Sequence, residues 1–177
     1  MTADRGLRRA EFRILGPLQV LIGGEERAVP GEKLRVLLAV LLLEANRPVS
    51  IDRLIDELWG DRPPATAREG IHAHVARLRR VLTADGSDSP LRNEGRGYVL
   101  YVGDDQLDAA RFRATLAAAR DERLAGRIAA ARDQYGRALA LWRGPILDGV
   151  PLEGADLERS ELEGLRVAWA VRVVEEQ

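Results

Sequence analysis

Thr66-Ala67-Arg68-Glu69-Gly70-Ile71-His72-Ala73-His74-Val75-Ala76-Arg77-Leu78-Arg79-Arg80-Val81-Leu82 is the stretch on which the fold turns. On a wheel of about 100° per residue, Ala67, Ile71, Val75, Leu78 and Leu82 gather on one side, the side a core must cover. Opposite them fall Glu69, Ala73, Ala76, Arg77 and Arg80, with His72 nearby and Arg68 and Arg79 on the flank. Thr66 with Glu69 three residues on has the form of a capping box, which predicts a helix from Ala67 to about Thr83. Outward guanidinium groups on a helix can read guanine edges bidentately in a major groove. Alanines at 73 and 76 permit close approach and contact with a thymine methyl. The same face taken alone is also what solvated helix surface looks like, so its neighbours in the chain must decide.

Upstream, Phe12–Leu15 and Leu18–Ile22 are β-rich and separated by Gly16-Pro17, and Gly23-Gly24 turns the chain towards Arg27-Ala28-Val29. From Glu32 to Ala45 the period becomes helical, with Leu34, Leu37, Leu38, Leu41 and Leu42 burying one face, until Asn46-Arg47-Pro48 stops it. Ser50 predicts the N-cap of another helix with Asp52 in its first turn, closed by Gly60. Arg62-Pro63-Pro64 forces an extended connector into the basic helix. Downstream, Ala84–Pro90 reads as a polar loop, and Leu91–Val102 as a hairpin turning at Glu94-Gly95-Arg96-Gly97. Strands, three helices, the last of them basic, and a terminal hairpin make a winged helix-turn-helix. Arg96 and Gly97 give its wing one charge and a thin tip.

Asp104-Asp105-Gln106 marks the expected boundary between a domain of residues 1–104 and one of residues 105–177. The second is helical throughout. Asp108–Leu124 and Arg127–Trp142 predict an αα-hairpin pairing Phe112, Leu116 and Leu124 with Ile128, Tyr135, Leu139 and Trp142. Small residues around Tyr135 suggest a unit of the tetratricopeptide kind. After a loop rich in Gly and Pro, a last helix carries Leu162, Leu165, Trp169 and Val173. Its pattern still runs at Gln177, so a shortened two-domain architecture is expected. The fold class is therefore α+β followed by all-α.

Composition narrows the function. The 177 residues are 46% hydrophobic and 31% charged, an ordinary globular balance. Without cysteine there is no disulfide framework, thiolate metal site or thiol nucleophile. No apolar run reaches the roughly 18 residues that span a bilayer, and the chain opens without a secretory signal, so a cytoplasmic protein without membrane contact is expected. The net charge of −1 speaks against a nucleic-acid partner only on average. Within 62–80, arginines 62, 68, 77, 79 and 80 face the single acid Glu69. His72 and His74, the only histidines, lie two apart and on different helix faces, so no metal site is expected. No phosphate loop or nucleophile elbow appears, and neither an enzyme nor a cofactor is expected.

Gly31-Glu32-Lys33-Leu34-Arg35-Val36-Leu37-Leu38, Asn46-Arg47-Pro48-Val49-Ser50, Leu54-Ile55-Asp56-Glu57-Leu58-Trp59-Gly60 and His74-Val75-Ala76-Arg77-Leu78-Arg79-Arg80 resemble the Streptomyces antibiotic regulatory protein family. Tyr135–Trp142 with Gly144, and Gly149–Glu153, resemble its second domain. The resemblance implies an OmpR-type winged helix before a bacterial transcriptional activation domain. It implies a transcriptional activator of secondary-metabolite clusters that binds direct repeats in double-stranded DNA, with a dimer possible on them, and recruits RNA polymerase. It places His72 and Arg77 at base edges, with Ala73, Ala76 and Arg80 on the same face. Phosphates would fall to Trp59, Thr66, Arg68 and Arg79, and a wing contact to Arg96. The sequence departs from that pattern at Glu94, where the wing often carries a basic residue, and at Glu69 in the helix start. The alternative is a protein-interaction module whose helical half binds a regulatory partner while the winged helix is a scaffold.

Overall fold

Short turns order the first sheet. In this computed structural model, β1 (Ala10–Arg13), β2 (Gln19–Ile22) and β3 (Glu25–Arg27) pair antiparallel in chain order. Gly23 and Gly24, both at positive φ, make the two-residue turn between Ile22 and Glu25, a conformation that favours glycine. The structure describes residues 10–83, 88–152 and 156–175, the side chains of 156–158 and 169–175 excepted. The chain start, Ala84–Ser87, Glu153, the side chains of Trp169 and Val173, and the last two residues lie outside them.

α1 (Glu32–Leu43) is buried almost all round: Leu34 and every residue from Val36 to Leu42 are in the core. One buried face was expected. The helix instead runs through the centre, touching α2 (Ile51–Trp59), α3 (Ala67–Leu82) and the second sheet. Ser50 caps α2 by accepting from Arg53 N–H at 3.2 Å. Thr66 precedes α3 without a side-chain capping bond, so the anticipated box with Glu69 does not form. Its φ of −98° and ψ of 22° depart from the extended backbone usual at an N-cap, and the Ala67 N–H bonds the Pro64 carbonyl.

The hairpin β5 (Leu91–Glu94) and β6 (Gly97–Leu100) turns through Gly95 and Arg96 and gains a third strand, β4 (Val49–Ser50), on β6. That pairing explains Gly97: a Cβ there would lie 2.0 Å from the Val49 carbonyl oxygen. Gly97 thus sits at a strand crossing rather than at the wing tip, which Gly95 and Arg96 form.

α4 (Asp108–Leu124) and α5 (Ile128–Leu139) pack as an antiparallel hairpin, and α6 (Asp156–Glu175) follows. Phe112, Leu116 and Tyr135 are buried as expected, and Trp142 meets Phe112 edge-on at 5.4 Å. Leu124 and Ile128 are exposed, against expectation. They flank the turn, where the helices end, and Ala119, Ala131 and Ala138 fill the close-packed seam instead. Among the described residues no helix is long and apolar enough to cross a membrane.

The segment expected to part the halves is hydrogen-bonded into both. Phe12 N–H donates to the Gln106 carbonyl at 2.6 Å, and Gln106 Nε2 to the Ala10 carbonyl at 2.8 Å. Asp108, 4% exposed, accepts the backbone N–H groups of Ile14 and Leu15 at 2.8–3.0 Å. Arg143 N–H bonds the Leu15 carbonyl, and its guanidinium reaches Gln19 and the Pro17 carbonyl. One hydrophobic cluster runs from Phe12 and Ile14 through α1 to Phe112 and Leu147.

Candidate nucleic-acid interface

The core side of α3 is as the wheel predicts: Ala67, Ile71, Val75, Leu78 and Leu82 are all buried. That anchoring turns His72, Ala73, Ala76, Arg77 and Arg80 outward, and all five are exposed. Arg80 Nε makes only a long contact to the Ala76 carbonyl, 3.4 Å. Arg77 has no hydrogen bond or ion pair to another described residue. Arg77 is therefore free to meet a partner without first breaking a bond to a described residue, and Arg80 gives up only that long contact.

At the N-terminal end of α3, Arg68 reaches Asp52 in the first turn of α2 at 3.0 Å, with both partners exposed. Such a pair is worth about 0–1 kcal/mol, so a competing phosphate can displace it. Arg68 and the wing-tip Arg96 line one cleft with Ser50, Ile51 and Asp52. The α2 N-terminus opens there, and its dipole favours an anion, although the Ile51 N–H already bonds the Arg96 carbonyl at 3.3 Å and the Arg53 N–H the Ser50 hydroxyl.

Arg79 is occupied elsewhere. Its Nε donates to the Leu91 carbonyl at 3.0 Å and an Nη to Asn93 Oδ1 at 2.6 Å. Its guanidinium carbon lies 6.0 Å from the centre of the Tyr98 ring. The expected phosphate ligand is thus a strut from α3 to the wing. Beside it, Tyr98 Oη lies 3.2 Å from His72 Nδ1. Glu94, the acid where a basic wing residue is usual, accepts the Tyr101 hydroxyl at 2.7 Å.

Trp59 is half-buried at the end of α2, and a Cβ on Gly70 would come within 3.0 Å of its ring. Lys33 stands over that ring at 4.8 Å and donates to the Leu58 carbonyl at 2.6 Å. His74 stacks at a tilt on the same tryptophan. Burial first, then the positive charges of Arg77 and Lys33, lowers the His74 pKa below the ordinary imidazole value. Trp59 is thereby wedged between α1, α2 and α3. Thr66 is exposed with its side chain unused for capping.

Residues 25–100 match the family model described as transcriptional regulatory protein, C terminal, and residues 107–177 match the bacterial transcriptional activator domain. The chain is 36% identical over 165 residues to the regulatory protein AfsR of Streptomyces coelicolor, covering 93% of this chain and 16% of that protein. It is 33% identical over 141 residues to the transcriptional regulator RedD of the same organism, covering 77% and 40%. The chain belongs to the Streptomyces antibiotic regulatory protein family. It is also 40% identical over 143 residues to the transcriptional regulatory protein EmbR of Mycobacterium tuberculosis, covering 80% of this chain and 37% of that one. The solved structure of that EmbR in complex with a low affinity phosphopeptide superimposes with a TM-score of 0.87 at 36% identity, over 92% of this chain and 44% of the other. The chain thus spans less than half the length of these relatives. In this member of the family, the fold brings together His72, Ala73, Ala76, Arg77 and Arg80 on one face, with Arg68 and Arg96 at a neighbouring cleft. Asn93 and Tyr98, which hold the wing against α3, escaped the sequence reading because no periodicity links them to Arg79 and His72, 14 and 26 positions away.

Proposed function

We propose that this chain is a sequence-specific DNA-binding transcriptional activator. α3 would enter the major groove, and the wing with the α2 N-terminus would hold adjacent phosphates. The observation that carries the reading is the exposed Arg77, without a partner among the described residues, between Ala73, Ala76 and Arg80 and directly opposite a fully buried face. The family supports the finer statement too: control of a secondary-metabolite cluster by binding direct repeats near a promoter and recruiting RNA polymerase. Two protomers in tandem on the repeats would follow from that arrangement. The helical half would face the polymerase, and the exposed Leu124 and Ile128 at its hairpin tip and Val167 on α6 suit a protein contact there.

Selection of bound sequences from a random duplex pool tests this directly. A recovered motif, present twice in tandem, is expected. Equal affinity for selected and random DNA in a mobility-shift titration would overturn it and favour a protein-interaction module.

A further inference from the structure

We propose that Tyr98 of the wing fixes the tautomer of His72, so that α3 presents His72 Nε2–H as a hydrogen-bond donor to a base acceptor. The inference rests on the DNA reading above and names a specificity device within it.

His72 is exposed on the outward face of α3, whereas Tyr98 is 2% exposed. The rings meet edge to face, 77° between planes and 6.3 Å between centres, with Tyr98 Oη 3.2 Å from His72 Nδ1. Two arrangements satisfy that distance. Either the phenol donates to a bare Nδ1, or it accepts from a protonated one. In the second, the phenol proton needs another acceptor, and Tyr98 Oη has no other hydrogen-bond partner among the described residues. A buried donor without an acceptor is costly, so the first arrangement wins. Arg79 reinforces it: a guanidinium held over the ring by Leu91 and Asn93 draws electron density from the phenol and sharpens it as a donor. With Nδ1 accepting, the neutral imidazole carries its proton on Nε2, at the opposite edge of the ring.

A donor in the major groove meets acceptors at purine N7, guanine O6 and thymine O4, and meets another donor at the cytosine amino group. His72 therefore discriminates against cytosine at the base it faces. Tyr98 is a positioning residue that acts through the histidine.

Two measurements on the full chain test this. Long-range proton–nitrogen NMR at about pH 8, where imidazoles are neutral, reads the tautomer directly. With only two histidines, His74→Gln assigns the signals. The Nε2–H form is expected for His72, shifting towards a mixture in Tyr98→Phe, which keeps the buried ring. An Nδ1–H form in the unaltered protein overturns the proposal. Duplex-pool selection then compares the unaltered chain, Tyr98→Phe and His72→Ala. Rejection of cytosine is expected to weaken about fivefold or more at one position, the same one in both variants. A motif that Tyr98→Phe leaves unchanged, or an equal loss of affinity for all sequences, overturns the proposal while leaving the DNA reading standing. No motif for the unaltered chain overturns both.

Discussion

Arg77 stands mid-helix on α3 with no bond to another described residue, whereas Arg68 stands at its start in an exposed pair with Asp52. Their replacement has different signatures. Arg77→Ala should cost about 1–3 kcal/mol at the selected site and relax the preference for one base pair. Arg68→Ala should weaken all sequences alike and reduce the slope of log affinity against log salt by about one. Titrations at several salt concentrations separate the two, and a base-specific loss in Arg68→Ala would contradict its assignment to phosphate. His74 carries a pH prediction. Its folded pKa lies below the unfolded value of about 6.5, so the unfolded chain takes up the proton first as pH falls. Its contribution is complete above that pH and is lost as the pH drops through the lowered value. Thermal midpoints should fall between about pH 7.5 and pH 5.5, less steeply in His74→Leu. An unaltered slope in that variant would count against it. At this scale the α3 wheel was legible because helix period alone decides which residues are buried. Arg79 was not legible: its partners Leu91 and Asn93 lie 12 and 14 positions further along the chain, and only the fold brings them near.

Elements were legible wherever a strong local signal ended them. Ser50 caps α2, Gly60 closes it, and the Gly23-Gly24 turn sets the β2–β3 hairpin. What pattern could not show was how deeply an element is buried or what it pairs with. α1 carries leucines on one stripe, yet its Val36, Ala39 and Val40 are covered as well because neighbours surround it. Leu124 and Ile128 continue an apolar stripe past the point where two helices can still touch. The wing supplies the prediction at this scale. Gly97→Ala drives a Cβ into the Val49 carbonyl and should cost about 1–3 kcal/mol or more as β4 parts from β6. Gly95→Ala meets open space and carries only the strain of φ 55°, about 1 kcal/mol. Urea unfolding of both variants checks the order, and equal losses would refute the strand-crossing account.

For the whole molecule, the joint between β1 and the helical half is the decisive feature. Asp108 takes two backbone N–H groups out of water, and its burial raises the carboxyl pKa against the pull of those bonds and of Arg143. Asp108→Ala leaves both donors bare and should cost about 2–6 kcal/mol in chemical unfolding, from roughly 1–3 for each group. A loss below about 1 kcal/mol would mean that water replaces the carboxylate. The raised pKa acts opposite to His74: protonated Asp108 favours the fold below the ordinary carboxylate range, and that gain vanishes as pH rises through the shifted value. None of this was legible in sequence. An aspartate in the first turn of a helix signals a favourable charge for its own helix, while the Ile14 and Leu15 N–H groups that it takes lie more than 90 residues away.

A hydrogen-bonded joint transmits torque. Because the β1–β2 turn and β2 are fastened to Asp108 and Arg143, and one hydrophobic cluster joins them to α3, the structure sets the helical half at one bearing relative to α3, and so relative to the groove in which α3 is proposed to sit. DNA turns once in about 10.5 base pairs. On the activator reading, inserting about half a turn between the binding site and the promoter should swing the helical half to the far side of the duplex and abolish activation in a reporter. Inserting a full turn should largely restore it. Activation indifferent to that rotation would show that the joint yields on DNA.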